Sequence, residues 1–182
     1  MRSVSLIILS ALALLLSACS ETFTDSRDGK SYDIVQIGSQ TWMAENLAYE
    51  AAESSCPDGE NRNCSKFGRL YTWETARTVC PEGWRLPDSA DFAVLIEQVG
   101  GPAIAGKSLK STSGWFKNGN GSDDFGFEAY PAGYRLGGYA HFWSASESPD
   151  GLAYYLLLDF SVPTASLNAY GKDEGRSVRC VK

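Results

Sequence analysis

Apolar and polar positions alternate over Lys30–Ile37, and this two-residue period predicts a strand with one buried face. A glycine-containing turn follows at residues 38–40. Thr41–Leu47 then predicts a second strand or extended segment, with Trp42 and Leu47 as its apolar anchors. A small sheet is therefore expected at the start of the domain.

A helical period replaces the alternation farther along the chain. The spacing i, i+3, i+7 predicts a helix over residues 70–80, in which three side chains share one face: Trp73, Ala76 and Cys80. A second helix is predicted over residues 89–99, because Asp88 is a suitable N-cap and Asp91 occupies the third helical position. A Gly-Gly-Pro sequence ends this second helix.

Glycine and aromatic residues dominate the rest of the chain. The pattern predicts a long loop over residues 113–124 and short strands around turns at residues 125–127 and 132–135. Three closing strands are predicted at the following segments: His141–Ser146, Ala153–Phe160 and Ser177–Val181. The apolar run Tyr154–Leu158 predicts a strand buried on both faces. Together these elements predict an α+β fold, with two helices packed on small antiparallel sheets and long loops rich in glycine and aromatic residues.

The N-terminus predicts export. Leu6–Leu16 is an apolar run too short to cross a bilayer, which needs roughly 20 residues, but it has the length of a signal-peptide core. The four residues ending at Cys19, Leu-Ser-Ala-Cys, resemble the lipobox of bacterial lipoproteins. Residues 1–18 are therefore predicted to be a signal peptide and Cys19 to be lipidated; the alternative is an ordinary secretory signal with a chance cysteine.

Composition divides the mature chain and limits its partners. Residues 19–30 are polar and without periodicity, which predicts a flexible lipidated tether, and residues 31–182 have the length of a single domain. The whole chain has a net charge of −6, and loss of the signal peptide with its single Arg2 makes it −7. This charge argues against nucleic-acid binding, and it makes the lipid anchor the expected membrane contact.

The expected location is the cell envelope. Ser20 follows the lipidated cysteine, and lipoprotein sorting in Gram-negative bacteria would then favour the outer membrane. Whether the domain faces the periplasm or the cell surface stays open.

Four cysteines remain once Cys19 is lipidated. An even number in an exported domain predicts two disulfides, for which three connectivities exist. Local spacing favours Cys56–Cys64, which would staple a polar loop over residues 49–66 and leave Cys80 to pair with Cys180. A metal site is the alternative, but the chain has no C-x-x-C pair and only one histidine.

Several ordered motifs resemble the Fibrobacter succinogenes major paralogous domain. They are DGKSYDIVQIGSQTWMAENLAY, GRLYTWETARTVCPEGWRLPDSADF, FGFEAYPAGYR, HFWSASES and RSVRCVK, and they cover about residues 25–182. That family is similar to C-type-lectin-like and formylglycine-generating-enzyme-like domains, so the resemblance implies a C-type-lectin-like domain. In lectin-like domains the cysteine of a W-x-x-A-x-x-x-C helix commonly pairs with one in the last strand, which also implies Cys80–Cys180.

The predicted loop at residues 113–124 raises the hypothesis of a calcium site. Lectins of this type use Glu-Pro-Asn or Gln-Pro-Asp followed by Trp-Asn-Asp, and the chain contains none of these tripeptides. Oxygen-bearing side chains nevertheless alternate in a glycine-rich loop, and the candidate ligands are Asn118, Asn120, Asp123 and Asp124. The alternative is that these residues form turns through local side-chain hydrogen bonds. No other cofactor is expected.

Aromatic residues supply the candidate ligand-binding positions. Tyr134, Tyr139 and Trp143 cluster in one glycine-rich segment and could stack on sugar faces or anchor a protein partner, with core packing as the alternative. We predict a non-catalytic binding or adhesion module for polysaccharide or a surface protein. The alternatives are a divergent enzyme on the formylglycine-generating scaffold, which would need a reactive cysteine pair, and a purely structural surface component.

Overall fold

A computed structural model describes residues 21–182. The strands in these residues are β1 (Glu21–Thr24), β2 (Ser31–Ile37), β3 (Gln40–Met43), β4 (Ser54–Ser55), β5 (Leu70–Tyr71), β6 (Tyr139–Glu147), β7 (Ala153–Asp159), β8 (Ala165–Tyr170) and β9 (Arg176–Ser177). The helices are α1 (Asn61–Phe67), α2 (Trp73–Val79), α3 (Ser89–Gln98) and α4 (Ala105–Leu109). The fold is therefore α+β, with small sheets and short helices. No helix within the described residues combines the length and the apolar character needed to span a bilayer.

The first sheet contains three antiparallel strands in the order β1-β2-β3. The predicted strand at residues 30–37 is confirmed as β2, but the flexible tether is wrong for residues 21–24, which form β1. Glu21–Thr24 pairs with β2 along its length, and Phe23 packs on Trp84 with ring centroids 5.3 Å apart. These tertiary partners order a segment whose own sequence carries no periodic signal.

The second sheet has six strands in the order β4-β5-β9-β6-β7-β8. Its strands pair antiparallel except for β9 and β6, which are parallel at Phe142 and Ser177. The last strand of the chain thus joins two parts of the sheet that are distant in sequence. Tyr154–Leu158 was expected to be buried on both faces, but only Leu156 and Leu158 are buried, while Tyr154, Tyr155 and Leu157 are half-buried.

The predicted helices are confirmed with changes at their ends. The first begins at Trp73 rather than at residue 70, because Leu70–Tyr71 pairs with β9 as strand β5. At α3, Asp88 accepts hydrogen bonds from two backbone amides while the Asp91 carboxylate accepts one from the Asp88 amide, which is a complete capping box.

Several elements differ from the sequence prediction. The short strands expected at residues 125–127 and 132–135 are absent; among the described residues this stretch has only an isolated bridge between Lys110 and Ala129. Helix α4 was not predicted, because Gly106 is a poor helix former. A Cβ at this position would lie 2.1 Å from the Thr164 carbonyl oxygen, so close approach of the β7–β8 connection requires the glycine.

Both predicted disulfides are confirmed. Cys56–Cys64 closes an eight-residue separation and ties Cys56 to the middle of α1, a short helix that lies largely in the segment expected to be a loop. Cys80–Cys180 joins the end of α2 to the C-terminal segment across a separation of 100 residues. These four thiols are therefore oxidised, and none is available as the reactive pair that formylglycine-type chemistry would need.

The core consists of two adjoining clusters of buried side chains. One cluster packs α3 between the first sheet and strands β6 to β8, and Trp42 stacks on Phe92 within it at 5.6 Å. The other surrounds Trp73 and Trp143, whose indole nitrogens donate to the Ser144 and Tyr71 carbonyl oxygens over 2.7 and 2.8 Å. Neighbouring residues of β6 belong to different clusters, Phe142 to the first and Trp143 to the second, so the two clusters pack on opposite faces of this strand.

Candidate functional site

Strand periodicity divides the second sheet into a core face and an outer face. On β6, Phe142 is buried in the core, while Tyr139 and His141 point to the opposite side. On β7, Leu156 enters the core and Tyr155 lies on the outer face, directly opposite Trp143 in the register. The outer face therefore carries aromatic side chains from both strands.

An open groove of about 490 Å³ lies on this outer face. Four tyrosines line it: Tyr134, Tyr139, Tyr155 and Tyr170. Arg176 lies at its base, and we call these five residues the tyrosine groove. Tyr134 is 87% exposed and Tyr170 is 54% exposed, so two large rings of the groove are presented to solvent.

Arg176 is a buried cation held between aromatic rings. Its guanidinium carbon lies 3.9 Å from the Tyr155 ring centroid, 4.8 Å from Trp143 and 5.5 Å from Tyr170. The residue is only 5% exposed, and burial lowers the pKa of its guanidinium. No carboxylate of residues 21–182 lies within ion-pair distance of it. Cation–π contacts with these three rings are therefore the main interactions that offset the cost of burying its positive charge.

His141 is the hydrogen-bond partner of Arg176. The Nη1 group of Arg176 donates to His141 Nδ1 over 2.7 Å, because an arginine has no acceptor to offer. Burial, and then the positive charge of Arg176, lower the pKa of His141 to about 4. The imidazole is thus neutral at pH 7, with its proton on Nε2.

Arg179 is a structural arginine of the same domain, and each of its side-chain nitrogens donates a hydrogen bond. It is fully buried and donates to the Asn46 side-chain oxygen and to three backbone carbonyl oxygens, those of Met43, Phe127 and Glu128. All of its hydrogen-bond acceptors in residues 21–182 are side-chain amide or backbone carbonyl oxygens. Among residues 21–182, by contrast, the Arg176 side chain has His141 as its single hydrogen-bond partner.

A second groove of about 330 Å³ continues from the first. The two share Arg135 and Tyr139, and the second adds Phe116, Lys117 and Phe160 to the lining. The Arg135 guanidinium lies 5.4 Å from the Phe116 ring centroid. The combined surface is long, aromatic and locally basic, although the chain as a whole has a net charge of −6.

The family of the chain follows from a comparison that covers this whole region. A model of the Fibrobacter succinogenes major domain matches residues 35–182. The chain belongs to this family. The match runs from β2 to the last residue, so the tyrosine groove and both disulfides lie inside the family domain. No curated protein and no solved structure gives a significant match.

The three predicted ligand-binding residues of this domain lie in different environments. Tyr134 and Tyr139 both line the tyrosine groove. Trp143 does not reach its surface: it is completely buried, beneath Arg176 and against Tyr155. Its assignment as a ligand contact is wrong, because the side chains above it exclude any ligand, and its role is to support Arg176.

The candidate calcium ligands are engaged in turns. Asn120 accepts a hydrogen bond from the Trp115 amide (3.1 Å), Asp123 from the Glu128 amide (2.7 Å) and Asp124 from the Ser122 hydroxyl (2.7 Å). Asn118 and Asp123 have positive φ, which Asn and Asp tolerate in turns. Within residues 21–182, no group of three or more His, Cys, Asp or Glu side chains is arranged to hold a metal. The calcium site stays a prediction without support from this geometry.

The sequence interpretation missed the centre of the groove. Arg176, Tyr155 and Tyr170 lie on three different strands, and only their pairing brings them together. Alternation along β7 could have placed Tyr155 on the face opposite Leu156. Nothing local marks Arg176, because its strand contains only two residues. The predicted lipidation site, Cys19, lies outside the described residues.

Proposed function

We propose that this domain is a non-catalytic binding module of the cell envelope, and that it binds polysaccharide in the tyrosine groove. The observation that carries the proposal is the set of tyrosine rings on the outer face of the second sheet, two of which are largely in solvent. Flat rings stack on the apolar faces of sugars, while phenol hydroxyls exchange hydrogen bonds with sugar hydroxyls. Tyr134 and Tyr170 line the same groove, and exposed aromatic residues grouped in one groove are typical of a ligand-binding surface.

The architecture we propose is C-type-lectin-like. In support, the W-x-x-A-x-x-x-C segment forms α2, and its cysteine is bonded to Cys180 in the C-terminal segment. The proposed binding surface is distinct from the loop at residues 118–124, so binding in the groove does not require calcium.

We also propose that lipid on Cys19 anchors the domain, most simply in the outer membrane. Strand β1 begins at Glu21, only two residues beyond that cysteine. Two extended residues reach about 7 Å at most. An anchor at Cys19 would therefore hold the domain directly at the membrane surface instead of on a long tether.

A glycan array tests the proposed function. Full-length protein in detergent would be applied with and without EDTA, beside Tyr134→Ala and Tyr170→Ala. Each substitution removes one exposed stacking ring, so binding should fall by about two- to tenfold, unchanged by EDTA. Phe125→Ala is the matched control, because Phe125 is an exposed ring outside the groove. Absence of binding to every glycan would refute the proposal, as would equal losses in the control.

A further inference from the structure

Arg176 has donors that the described protein does not use. Its Nε is buried and has no hydrogen-bond partner, although burying an unpaired donor costs about 1–3 kcal/mol. Its Nη1 is taken by His141. Its Nη2 donates to no group in residues 21–182 and, unlike Nε, is not fully enclosed. Nη2 is therefore the donor of Arg176 that a ligand in the groove can reach, and a charged guanidinium donor forms its strongest hydrogen bonds with a carboxylate or another anionic oxygen.

The surroundings favour an anion at this edge. Arg176 is a buried charge with no carboxylate partner, and its hydrogen-bonded neighbour His141 is neutral at pH 7. Across both grooves three basic side chains, Lys117, Arg135 and Arg176, face a single acidic one, Glu174. A bound anion would compensate the buried charge, which the aromatic rings do only in part.

We propose that the tyrosine groove recognises an acidic polysaccharide, with the carboxylate of a uronic acid unit bound by Arg176. This inference rests on the proposed sugar-binding function and names its ligand class. The rings of Tyr134 and Tyr170 would stack on the sugar next to the carboxylate, and Arg135 and Lys117 would meet further acidic units along the adjoining groove. An acidic polypeptide is the less favoured ligand, because the groove lies on the face of the sheet, where a peptide cannot extend it by strand pairing.

The probe for this proposal is an oligogalacturonate. Its affinity for full-length protein in detergent would be measured by calorimetry at constant ionic strength and compared with the same oligosaccharide reduced to its neutral form. A charge-assisted hydrogen bond from Arg176 should make the acidic form bind about ten- to a hundredfold more tightly. Arg176→Gln should reduce this preference by about tenfold or more, while Arg62→Gln, which removes the same charge from an exposed position on α1, should leave it unchanged.

A second variant tests the same proposal without altering the buried Arg176, in case Arg176→Gln does not fold. Glu174 is exposed at the rim of the groove and is the one acidic residue among the described residues that line it. Glu174→Gln should therefore fold normally and bind oligogalacturonate more tightly, because it removes repulsion from the ligand. Unchanged or weaker binding by Glu174→Gln would contradict the proposal.

The outcomes separate this inference from the proposed function. Equal binding of the acidic and neutral oligosaccharides would overturn the acidic ligand and leave sugar binding intact. Binding of neither, together with an empty glycan array, would overturn both. Binding of polyaspartate with the same dependence on Arg176 would show that the ligand is a polypeptide and would overturn the assignment to a polysaccharide.

Discussion

His141 should make the stability of this domain depend on pH between about 4 and 6.5. Its pKa is lowered to about 4 in the folded protein, against 6.5 for the free side chain. The cause is burial on the groove face, with the charge of Arg176 acting in the same direction and that of Asp159 opposing it. Because the folded pKa lies below the unfolded one, the stabilisation is fully present above pH 6.5 and is lost as the pH falls toward 4.

The magnitude follows from linkage between protonation and folding. At pH 5 most unfolded chains carry a proton on His141 and most folded ones do not, which lowers the free energy of unfolding by about 2 kcal/mol relative to pH 8. His141→Gln removes the titration and keeps an oxygen that can accept from Arg176. The pH dependence of the variant should therefore be weaker by about this amount.

Urea unfolding at pH 5 and pH 8 measures this difference. Asp25 and Asp91 also have lowered pKa values, because they accept hydrogen bonds from Arg27 and Arg85, but their contribution is common to both proteins and cancels. His141 is the only histidine of the chain, so its proton resonance reports the folded pKa without ambiguity. Equal losses of stability in both proteins, or a resonance that titrates near pH 6.5, would refute the reasoning.

The remaining predictions concern the cysteines. The double variant Cys80→Ala/Cys180→Ala removes a disulfide that spans 100 residues and should lower the free energy of unfolding by about 4.7 kcal/mol in the chain-entropy relation. The double variant Cys56→Ala/Cys64→Ala removes one that spans eight residues and should lower it by about 2.5 kcal/mol. Denaturant unfolding of the two double variants checks the order, and a larger loss from the short loop would contradict it. Cys19→Ser should release a folded protein into the soluble fraction, as judged by cell fractionation; retention of the variant in the membrane fraction would contradict the proposed anchor.

The sequence was informative where structure is local. The capping box at Asp88 and Asp91 involves residues three apart, and the helical face of α2 repeats every few residues, so both could be predicted. It was less informative where a distant partner decides the outcome. Strand β1 forms because β2 and Trp84 lie beside it, and α4 forms around a glycine because the Thr164 carbonyl group needs the space.

The same distinction applies to the candidate site. Aromatic clustering indicated Tyr134 and Tyr139 correctly, but it could not tell an exposed ring from a buried one, and Trp143 proved to be buried. Exposure of an aromatic residue depends on what covers it, and here the cover is Arg176 from β9 and Tyr155 from β7.

By itself, then, the sequence determined the fold class, both disulfides and the family, because periodicity, cysteine number and ordered motifs are properties of the chain in one dimension. Only the tertiary structure decided where binding chemistry can occur. Arg176 and His141 lie 35 residues apart, and the parallel pairing of β9 with β6 makes them neighbours. The unused donors of that arginine arise from the arrangement of four strands, which no local pattern of residues encodes.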